Sequence, residues 1–248
     1  MRKFIPNIHA YIRAGRATRR GASARPDEVA RGLHKEYPRM PRIILPPRGP
    51  LTLRLDSALS QRTSFHTARS NRGFASSDLS TLLGHTLGMR NSTLRHYPSG
   101  GALYPIETYI VGAVLEGQPH GVYHYHPSLH ALEHLWDLQS WGMADLSPSA
   151  ATPLSRTLIL FTAVWERNAI KYGDFAYNLA LLEAGHMAQN VLLAGTALGI
   201  QARPVGGVDD ALAGELLDLH PQIEQPVYAM VVAPPAHPGK EIETEIFE

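Results

Sequence analysis

Cysteine is absent from this sequence of 248 residues, and so is any long apolar run. Without cysteine the chain forms no disulfide, no catalytic thiolate and no cysteine-ligated metal site. A helix that crosses a membrane needs about 18 consecutive apolar residues, and no stretch of the sequence approaches that length. With 44% hydrophobic residues the composition is that of a globular protein with one sizeable core.

The start of the chain also lacks the features of an export signal. Met1–Pro6 carries positive charge, but no apolar segment follows it. The pair Arg19-Arg20 is followed by Gly-Ala-Ser-Ala-Arg-Pro, which is too polar for a twin-arginine signal. We therefore expect the protein to act in the cytoplasm, with no membrane partner.

Charge is distributed unevenly along the chain, although the formal net charge is only +1. Residues 1–50 contain twelve Lys and Arg residues and three acidic ones, whereas residues 51–248 contain eleven and nineteen. We interpret residues 1–50 as a basic, Arg- and Pro-rich arm and residues 51–248 as one globular domain. The arm either packs on an acidic body, its own or a second subunit's, or binds an acidic partner. We favour packing and expect no nucleic acid, because few aromatic side chains lie between the basic ones.

Hydrophobic periodicity and capping residues predict four helices. They span Asp27–Tyr37, Asp78–Leu87 with Ser77 as N-cap, Ala176–Leu198, and a last segment from Asp209 or Asp210 to Leu219. The proline-rich segment Pro38–Pro50 indicates an extended connector. The helix Ala176–Leu198 is apolar nearly all round, which is typical of a helix inside a core or a subunit interface.

Apolar and β-branched runs predict five strands. They are Thr108–Leu115, Gly121–His126, Ala131–Leu135, Thr157–Val164 and Pro226–Ala233, the second and third forming a hairpin around Pro127-Ser128. Strands and helices do not alternate in a regular βαβ pattern. The sequence therefore predicts an α+β sandwich.

Six segments of the domain occur in a characteristic order. They are Gln61–His66, Pro98–Glu107, Gly121–Tyr125, Lys171–Asp174, Glu183–Asn190 and Pro204–Asp209. Together they resemble the SagB-type branch of the FMN-dependent nitroreductase superfamily, over about residues 51–235. The resemblance implies a nitroreductase-like α+β fold, with a central, mostly antiparallel sheet flanked by helices. It also implies a homodimer with FMN at the subunit interface, the segment Glu183–Asn190 being similar to the family's interface helix.

The flavin phosphate requires cationic and hydroxyl donors, and Arg62 and Ser64 are of the required kind. Members of the family usually carry Arg-x-Ser-x-Arg here, and in this chain His66 takes the place of the second Arg. A neutral His offers one hydrogen bond in place of a charge. Arg69 or Arg72 would then supply the missing charge. Taken without the other segments, Arg62 is equally consistent with a surface residue.

Two glycine-containing segments are implied to bind the flavin ring. Their residues are Pro98, Ser99, Gly100, Gly101 and Leu103 in the first segment, and Pro204, Val205, Gly206 and Gly207 in the second. A backbone without side chains lets a flat ring approach closely. By the resemblance, Gly207 presents its N–H to flavin N5, where it stabilises the charge of the reduced ring. Read alone, the segments are equally consistent with a turn before a strand and a helix N-cap.

Lys171 and Tyr172 are the expected catalytic pair, because the family places them in its azoline-oxidising site. Aromatisation of an azoline releases a hydride and a proton, and a partly desolvated lysine can act as a base for the proton. Tyr172 would orient the substrate or relay the proton. Glu166 and Asp174 are read as polar support. For an arbitrary Lys-Tyr pair, a solvated lysine beside a packing tyrosine would be the simpler reading.

Histidines are crowded into the predicted hairpin. They are His120, His124, His126, His130 and His134. His124 and His126 share one face of a strand and could bind a metal, but no carboxylate cluster is matched to them in the sequence. We therefore expect no metal, and we read His186 in the long helix as an interface residue.

The sequence thus predicts an FMN-dependent oxidoreductase that desaturates a peptide-derived substrate, foremost an azoline. The substrate would be a peptide or a small molecule, and a cyclase is a potential partner. One alternative is an NAD(P)H-dependent nitro or quinone reductase, which uses the same flavin site without Lys171. Another is a flavin-binding scaffold within a biosynthetic complex.

Overall fold

The computed structural model describes residues 34–68, 70, 72–138, 146 and 157–236. Within these residues seven strands form one sheet, and five α-helices accompany it. The strands are β1 (Arg42–Ile44), β2 (Ile106–Gly112), β3 (Gly121–His126), β4 (Ala131–Asp137), β5 (Thr157–Val164), β6 (Gln201–Val205) and β7 (Glu224–Ala233). The helices are α1 (Leu55–Gln61), α2 (Ser76–Thr86), α3 (Glu166–Tyr172), α4 (Phe175–Leu198) and α5 (Asp210–Leu216).

The strands form one antiparallel sheet in the order β1-β4-β3-β2-β5-β7-β6. Every neighbouring pair is antiparallel, including β2 and β5 at the centre, where Ile110 lies opposite Ile159. This arrangement confirms the predicted α+β fold with its mainly antiparallel sheet.

Both faces of the sheet are covered, as the alternation of side chains along its central strands shows. In β2, Ile106 and Ile110 pack in a core that includes buried residues of α2 and α4. Tyr109 and Val111 point the other way, into a second core that includes buried residues of α5. A strand buried on both faces reads as a continuous apolar run, which is why β5 was predicted at its observed bounds.

Helix α4 is buried on one side only. Ala180, Ala184 and Met187 pack in the core, whereas Leu181 and Leu182 on the opposite side are exposed. The prediction of a core or interface helix therefore holds for its buried face and leaves an apolar face to be explained. None of the helices in the described residues is both long enough and apolar enough to cross a membrane.

The predicted helix caps have different outcomes. Asp209 caps α5 as predicted, its carboxylate accepting from the Ala211 and Leu212 amides. The prediction for Ser77 was wrong. Helix α2 begins at Ser76 and its N-cap is Ala75, whose carbonyl accepts from the Asp78 and Leu79 amides. Ser77 therefore already lies inside the first turn.

The first predicted helix, Asp27–Tyr37, lies mostly outside the described residues, and its described part, residues 34–37, is not helical. The amides of Lys35 and Tyr37 donate to the carboxylates of Glu107 and Glu133 and not to helix carbonyls. Two buried carboxylates thus compete successfully for the amides that a helix would need. Within the predicted extended connector, β1 pairs with β4 at one edge of the sheet.

Candidate active site

The turn from Ser99 to Tyr104 has an unusual backbone. Gly101, Ala102 and Tyr104 all have positive φ, at 67°, 55° and 49°. For Ala and Tyr this left-handed conformation costs energy, so neighbouring contacts must hold it. Two hydrogen bonds fix Tyr104: its amide donates to Ser99 Oγ at 2.9 Å, and its hydroxyl accepts from the Arg95 amide at 3.1 Å. These hydrogen bonds therefore hold the turn in one conformation.

Lys171 and Tyr172, in the last turn of α3, lie directly against this turn. A Cβ atom built on Gly101 would lie 2.8 Å from Tyr172 Oη and 2.9 Å from Lys171 Nζ. Tyr172 is buried, and the Lys171 ammonium nitrogen lies 5.4 Å from the centre of its ring. The structure therefore brings together the predicted catalytic pair and the first predicted flavin segment, which are some seventy residues apart in sequence.

Helix α4 packs against the turn. The residues of α4 that face the turn are three and four positions apart, so they share one face of the helix. Ala176 packs with Tyr172 and with the predicted flavin residue Leu103. Leu179 would lie 3.1 Å from a Cβ on Gly100. Glu183 follows one turn later. A Cβ on Gly100 would require the Leu179 side chain to move by a few tenths of an ångström, so the glycine eases the close approach of turn and helix.

Glu183 is a buried carboxyl group behind the turn. Burial raises its pKa to about 7, although the Ser99 hydroxyl and the positive charges of Arg95 and Arg167 act in the opposite direction. The sequence placed Glu183 in a segment similar to an interface helix, but in the structure it is 2% exposed and lies in the interior. Its surroundings therefore favour the neutral form of this carboxyl group.

The predicted phosphate residues lie at the end of α1. Arg62 is the half-buried C-cap residue of that helix, and Ser64 and His66 are exposed. Phe65 between them anchors the segment in the core on the α5 face of the sheet. Arg72 is one of the two substitutes expected for the missing arginine, and its Nη1 lies 3.8 Å from Oε1 of Glu116. The other, Arg69, lies outside the described residues.

The second predicted flavin segment follows directly from strand β6. Pro204 and Val205 are the last two residues of β6, and Val205 is buried in the same core as Phe65. Gly206 and Gly207 are exposed, and a Cβ on either would meet no atom of the described residues within 4 Å. The described part of the chain therefore leaves the space in front of these glycines open.

The predicted site residues thus form two groups. The first contains the turn Pro98–Leu103 with Lys171 and Tyr172, and it rests on the face of the sheet that α4 covers. The second contains Arg62–His66 and Pro204–Gly207, which share the core of the opposite face. The Gln201 side chain also donates to the Thr67 carbonyl at 3.3 Å and ties the second group together.

A buried ionic cluster is joined to the first group through Arg167, which contacts both Glu107 and the Tyr104 carbonyl. His124 is fully buried, and its two ring nitrogens each lie 2.9 Å from a carboxylate oxygen, of Glu133 and of Glu107. Burial alone would raise the pKa of both carboxyl groups. The hydrogen bonds from His124, with Arg167 near Glu107 and Arg42 near Glu133, outweigh burial and hold both pKa values at about 2.

The histidines of the hairpin therefore have different roles. His124 belongs to this ionic cluster, whereas His126 forms a group with His34 and Glu36 whose ligand atoms all lie within 4.8 Å of one another. Nδ1 of His126 accepts a hydrogen bond from the Leu129 amide, so in the neutral ring Nε2 carries the proton. A metal ligand needs a free lone pair at that nitrogen. The group is therefore arranged as a hydrogen-bonded set, His126 to His34 at 3.2 Å.

The sequence analysis missed two residues of this site. In the sequence, Glu107 is only the last residue of a segment that resembles a flavin-binding one, yet in the structure it is fully buried and ionic. The sequence does not single out Arg167, because no pattern predicts α3. Had the helix been recognised, the spacing of four residues between Arg167 and Lys171 would have placed both on one face.

The sequence profile described as the nitroreductase family matches residues 59–233. The trifolitoxin-processing protein TfxB of Rhizobium leguminosarum bv. trifolii is 29% identical over 225 residues, which are 83% of this chain and 60% of TfxB. The microcin B17-processing protein McbC of Escherichia coli is 31% identical over 143 residues, 55% of this chain and 53% of McbC. The chain thus spans only 60% and 53% of the length of these two relatives.

Solved structures show the same fold. A chain of the E. coli microcin synthetase McbBCD complex, with truncated pro-MccB17 bound, aligns with a TM-score of 0.60 at 22% identity, covering 92% of this chain and 93% of that one. The NADPH:FMN oxidoreductase of Vibrio harveyi, complexed with NAD+, aligns with a TM-score of 0.51 at 16% identity, covering 74% and 69%. Fold and sequence profile agree, and the chain belongs to the nitroreductase family.

Proposed function

We propose that the protein is an FMN-dependent dehydrogenase that oxidises a heterocycle in a peptide, converting an azoline to an azole. The observation that carries the proposal is the position of Lys171 and Tyr172 against Gly101, in the turn that resembles a flavin-binding segment. A nitroreductase needs no base at this position, because its substrate takes protons from water or from a cofactor. A lysine held at the turn is what proton removal from an azoline requires.

The residues of the two groups fit a flavin. Gly101, Gly206 and Gly207 are exposed, so a flat ring can come close to their backbone, and no atom of the described residues lies within 4 Å of a Cβ built on Gly206 or Gly207. Arg62 and Ser64 offer the charged and hydroxyl donors that a phosphate requires. His66 is exposed beside them and offers one further donor.

A second copy of the chain would unite the two groups. In the proposed homodimer, Arg62–His66 and Pro204–Gly207 of one subunit would face the Gly100–Gly101 turn and Lys171 of the other. The exposed apolar side chains on α4 and on the neighbouring α1 support this arrangement, because such a patch on a soluble protein marks an interaction surface. They are Leu55, Leu59, Tyr177, Leu181 and Leu182.

The chemistry follows from the side chains around the first turn. FMN, when bound, supplies a hydride acceptor at N5. Lys171 takes the proton from one ring carbon of the azoline while the neighbouring carbon loses its hydride, and the ring becomes aromatic. Tyr172 Oη lies close enough to orient the substrate or relay that proton. Molecular oxygen is the expected final electron acceptor.

The relatives support a peptide as the substrate. TfxB and McbC are named for the processing of trifolitoxin and microcin B17, and the McbBCD structure holds a truncated pro-MccB17. We infer that this chain also acts on a peptide and works together with other proteins, among them a cyclase that would make the azoline. The relation to the Vibrio harveyi enzyme favours a second candidate, an NAD(P)H-dependent nitro or quinone reductase.

Two measurements on the purified protein separate these functions. We expect flavin absorbance bands after incubation with FMN, and oxidation of a thiazoline peptide with a mass loss of about 2 Da per ring, the mass of the hydride and proton removed. NADPH with a nitroaromatic should react slowly or not at all. Rapid NADPH turnover without azoline oxidation would establish the reductase instead. A protein that stays colourless after incubation with FMN and removal of the free flavin would rule out both.

The dimer is tested at the exposed face of α4. Leu182→Glu places a charge on a side chain that is 59% exposed, so the subunit should fold normally while the dimer dissociates. We expect light scattering to show a dimer for the wild type and a monomer with little bound FMN for the variant. Leu129→Glu is the matched control, since Leu129 is 45% exposed in the hairpin turn. A wild-type monomer that retains FMN would contradict the shared site.

A further inference from the structure

Arg167 joins the helix that carries Lys171 to the turn that carries Gly101. Its Nη1 donates to the carbonyl oxygen of Tyr104 at 3.1 Å, and its Nη2 lies 2.5 Å from Oε1 of Glu107. The two side chains are 10% and 1% exposed, so water scarcely competes for these bonds. A planar guanidinium can reach two acceptors at once in a fixed geometry, whereas an ammonium group acts as a point charge.

Both ends of this bridge belong to the proposed active site. Arg167 and Lys171 are four residues apart in α3 and so project from the same side of the helix. Tyr104 closes the turn that begins at Ser99, and its amide, its hydroxyl and its carbonyl each make a hydrogen bond. The carbonyl bond is the one that reaches α3. A shift of Arg167 would therefore change the distance between Lys171 and the turn.

We propose that Arg167 is a positioning residue, which holds Lys171 and Tyr172 against the Gly100–Gly101 turn by bridging Tyr104 and Glu107. The inference rests on the function proposed above. Arg167 is not the only structural support of Glu107, because Glu107 keeps two other partners when Arg167 is removed. His124 bonds to one of its oxygens and the Lys35 amide to the other. The sheet is thus secured independently of Arg167.

Two substitutions test the bridge. Arg167→Lys keeps a positive charge opposite Glu107 but cannot reproduce both hydrogen bonds, and Arg167→Ala removes both. We expect kcat for the thiazoline peptide to fall by about 10- to 100-fold in each, since a misplacement of about 1 Å has effects of this size. KM and FMN content should change less than about twofold. Arg54→Ala, which removes an arginine paired with Asp56 at the surface, is the control and should behave as the wild type.

A second readout requires neither flavin nor substrate. The rate at which Lys171 is reductively methylated can be followed by peptide mass spectrometry, with Lys3 as the internal reference. We expect Lys171 to react several times faster in both Arg167 variants, because its side chain is no longer held at the turn. If the wild type oxidises no azoline, the proposed function fails, but this readout still decides the role of Arg167.

The opposite results would overturn the proposal. Unchanged kcat and unchanged labelling of Lys171 in Arg167→Lys would show that the bridge positions nothing. A variant that loses its fold, or loses FMN while Lys171 reacts as in the wild type, would show that Arg167 serves the structure alone.

Discussion

Substitution of Lys171 by alanine is expected to lower kcat for azoline oxidation by about 10²- to 10⁴-fold, the range that a general base contributes. Lys171 Nζ would lie 2.9 Å from a Cβ built on Gly101, which belongs to the turn proposed to bind the flavin. Its side chain is only half-buried, so truncation leaves no closed cavity and the fold should be retained. Stopped-flow measurement of flavin bleaching by the thiazoline peptide would report the affected step directly.

Lys171→Arg separates the charge of the side chain from its basicity. Arginine keeps the positive charge but does not lose a proton in proteins. If Lys171 acts as the base, the arginine variant should be nearly as slow as the alanine variant. An arginine variant with wild-type kcat would assign Lys171 an electrostatic role and withdraw its role as base.

A pair of glycine substitutions tests whether the turn at Gly101 is the place of reaction. Gly101 and Gly117 both have positive φ, at 67° and 74°, so alanine strains the backbone at each position by about 1 kcal/mol. At Gly101 the new methyl group would displace Tyr172 Oη and Lys171 Nζ, whereas a Cβ on Gly117 would meet no atom of the described residues within 4 Å. We expect Gly101→Ala alone to lose azoline oxidation. Equal rates for the two variants would place the reaction elsewhere.

The fold could be predicted where a segment's own sequence determines its structure. Strand β5 reads as a continuous apolar run and was found at its predicted bounds, and Asp209 capped its helix as predicted. Strand β6 was missed because Gln201-Ala-Arg-Pro-Val has no strand-like pattern. Its hydrogen bonds to β7 hold it in the sheet. Helix α3 was missed for a related reason, since its seven residues bury the polar side chain of Asn168.

The site was predictable as a set of segments and not as an arrangement. Glycine turns and an Arg-x-Ser sequence can be read from local residues, and the structure places them in turns and at a helix end. That Gly101 meets Lys171 depends on how α3 packs, and no local pattern contains that information. The division of the segments between the two faces of the sheet was equally beyond the sequence.

Two basic residues of the arm pair with acidic residues of the body in the described part of the chain. The side chains of Lys35 and Arg42 pair with the buried carboxylates of Glu224 and Glu133 at 2.8 Å. The end of the basic segment therefore packs on its own domain, one of the alternatives for the arm. Residues 1–33 lie outside the described part of the chain, and their role stays a prediction.

Substitution of His124 by glutamine is expected to destabilise the protein by about 3–5 kcal/mol at pH 6, as loss of one partner from a buried ion pair does. Both ring nitrogens of His124 face carboxylate oxygens, which only accept hydrogen bonds, so both nitrogens carry protons. Glutamine removes this positive charge from between Glu107 and Glu133. Urea unfolding measures the loss. His134→Gln, whose partner Asp137 is 62% exposed, is the control and should cost less than about 1 kcal/mol.

The pH dependence of this difference tests the charge on His124. Burial lowers its pKa, but the hydrogen bonds and charges of both carboxylates outweigh burial and raise it above the ordinary value of 6.5. The stabilisation from His124 is thus complete below about pH 6.5 and is lost as the pH rises through its value in the folded protein. The carboxyl groups, held at about 2 instead of 4.5, lose their stabilisation as the pH falls below about 4.5. The gap between wild type and His124→Gln should therefore be widest from about pH 4.5 to 6.5 and narrow on both sides, whereas a constant gap up to pH 9 would mean that His124 is neutral.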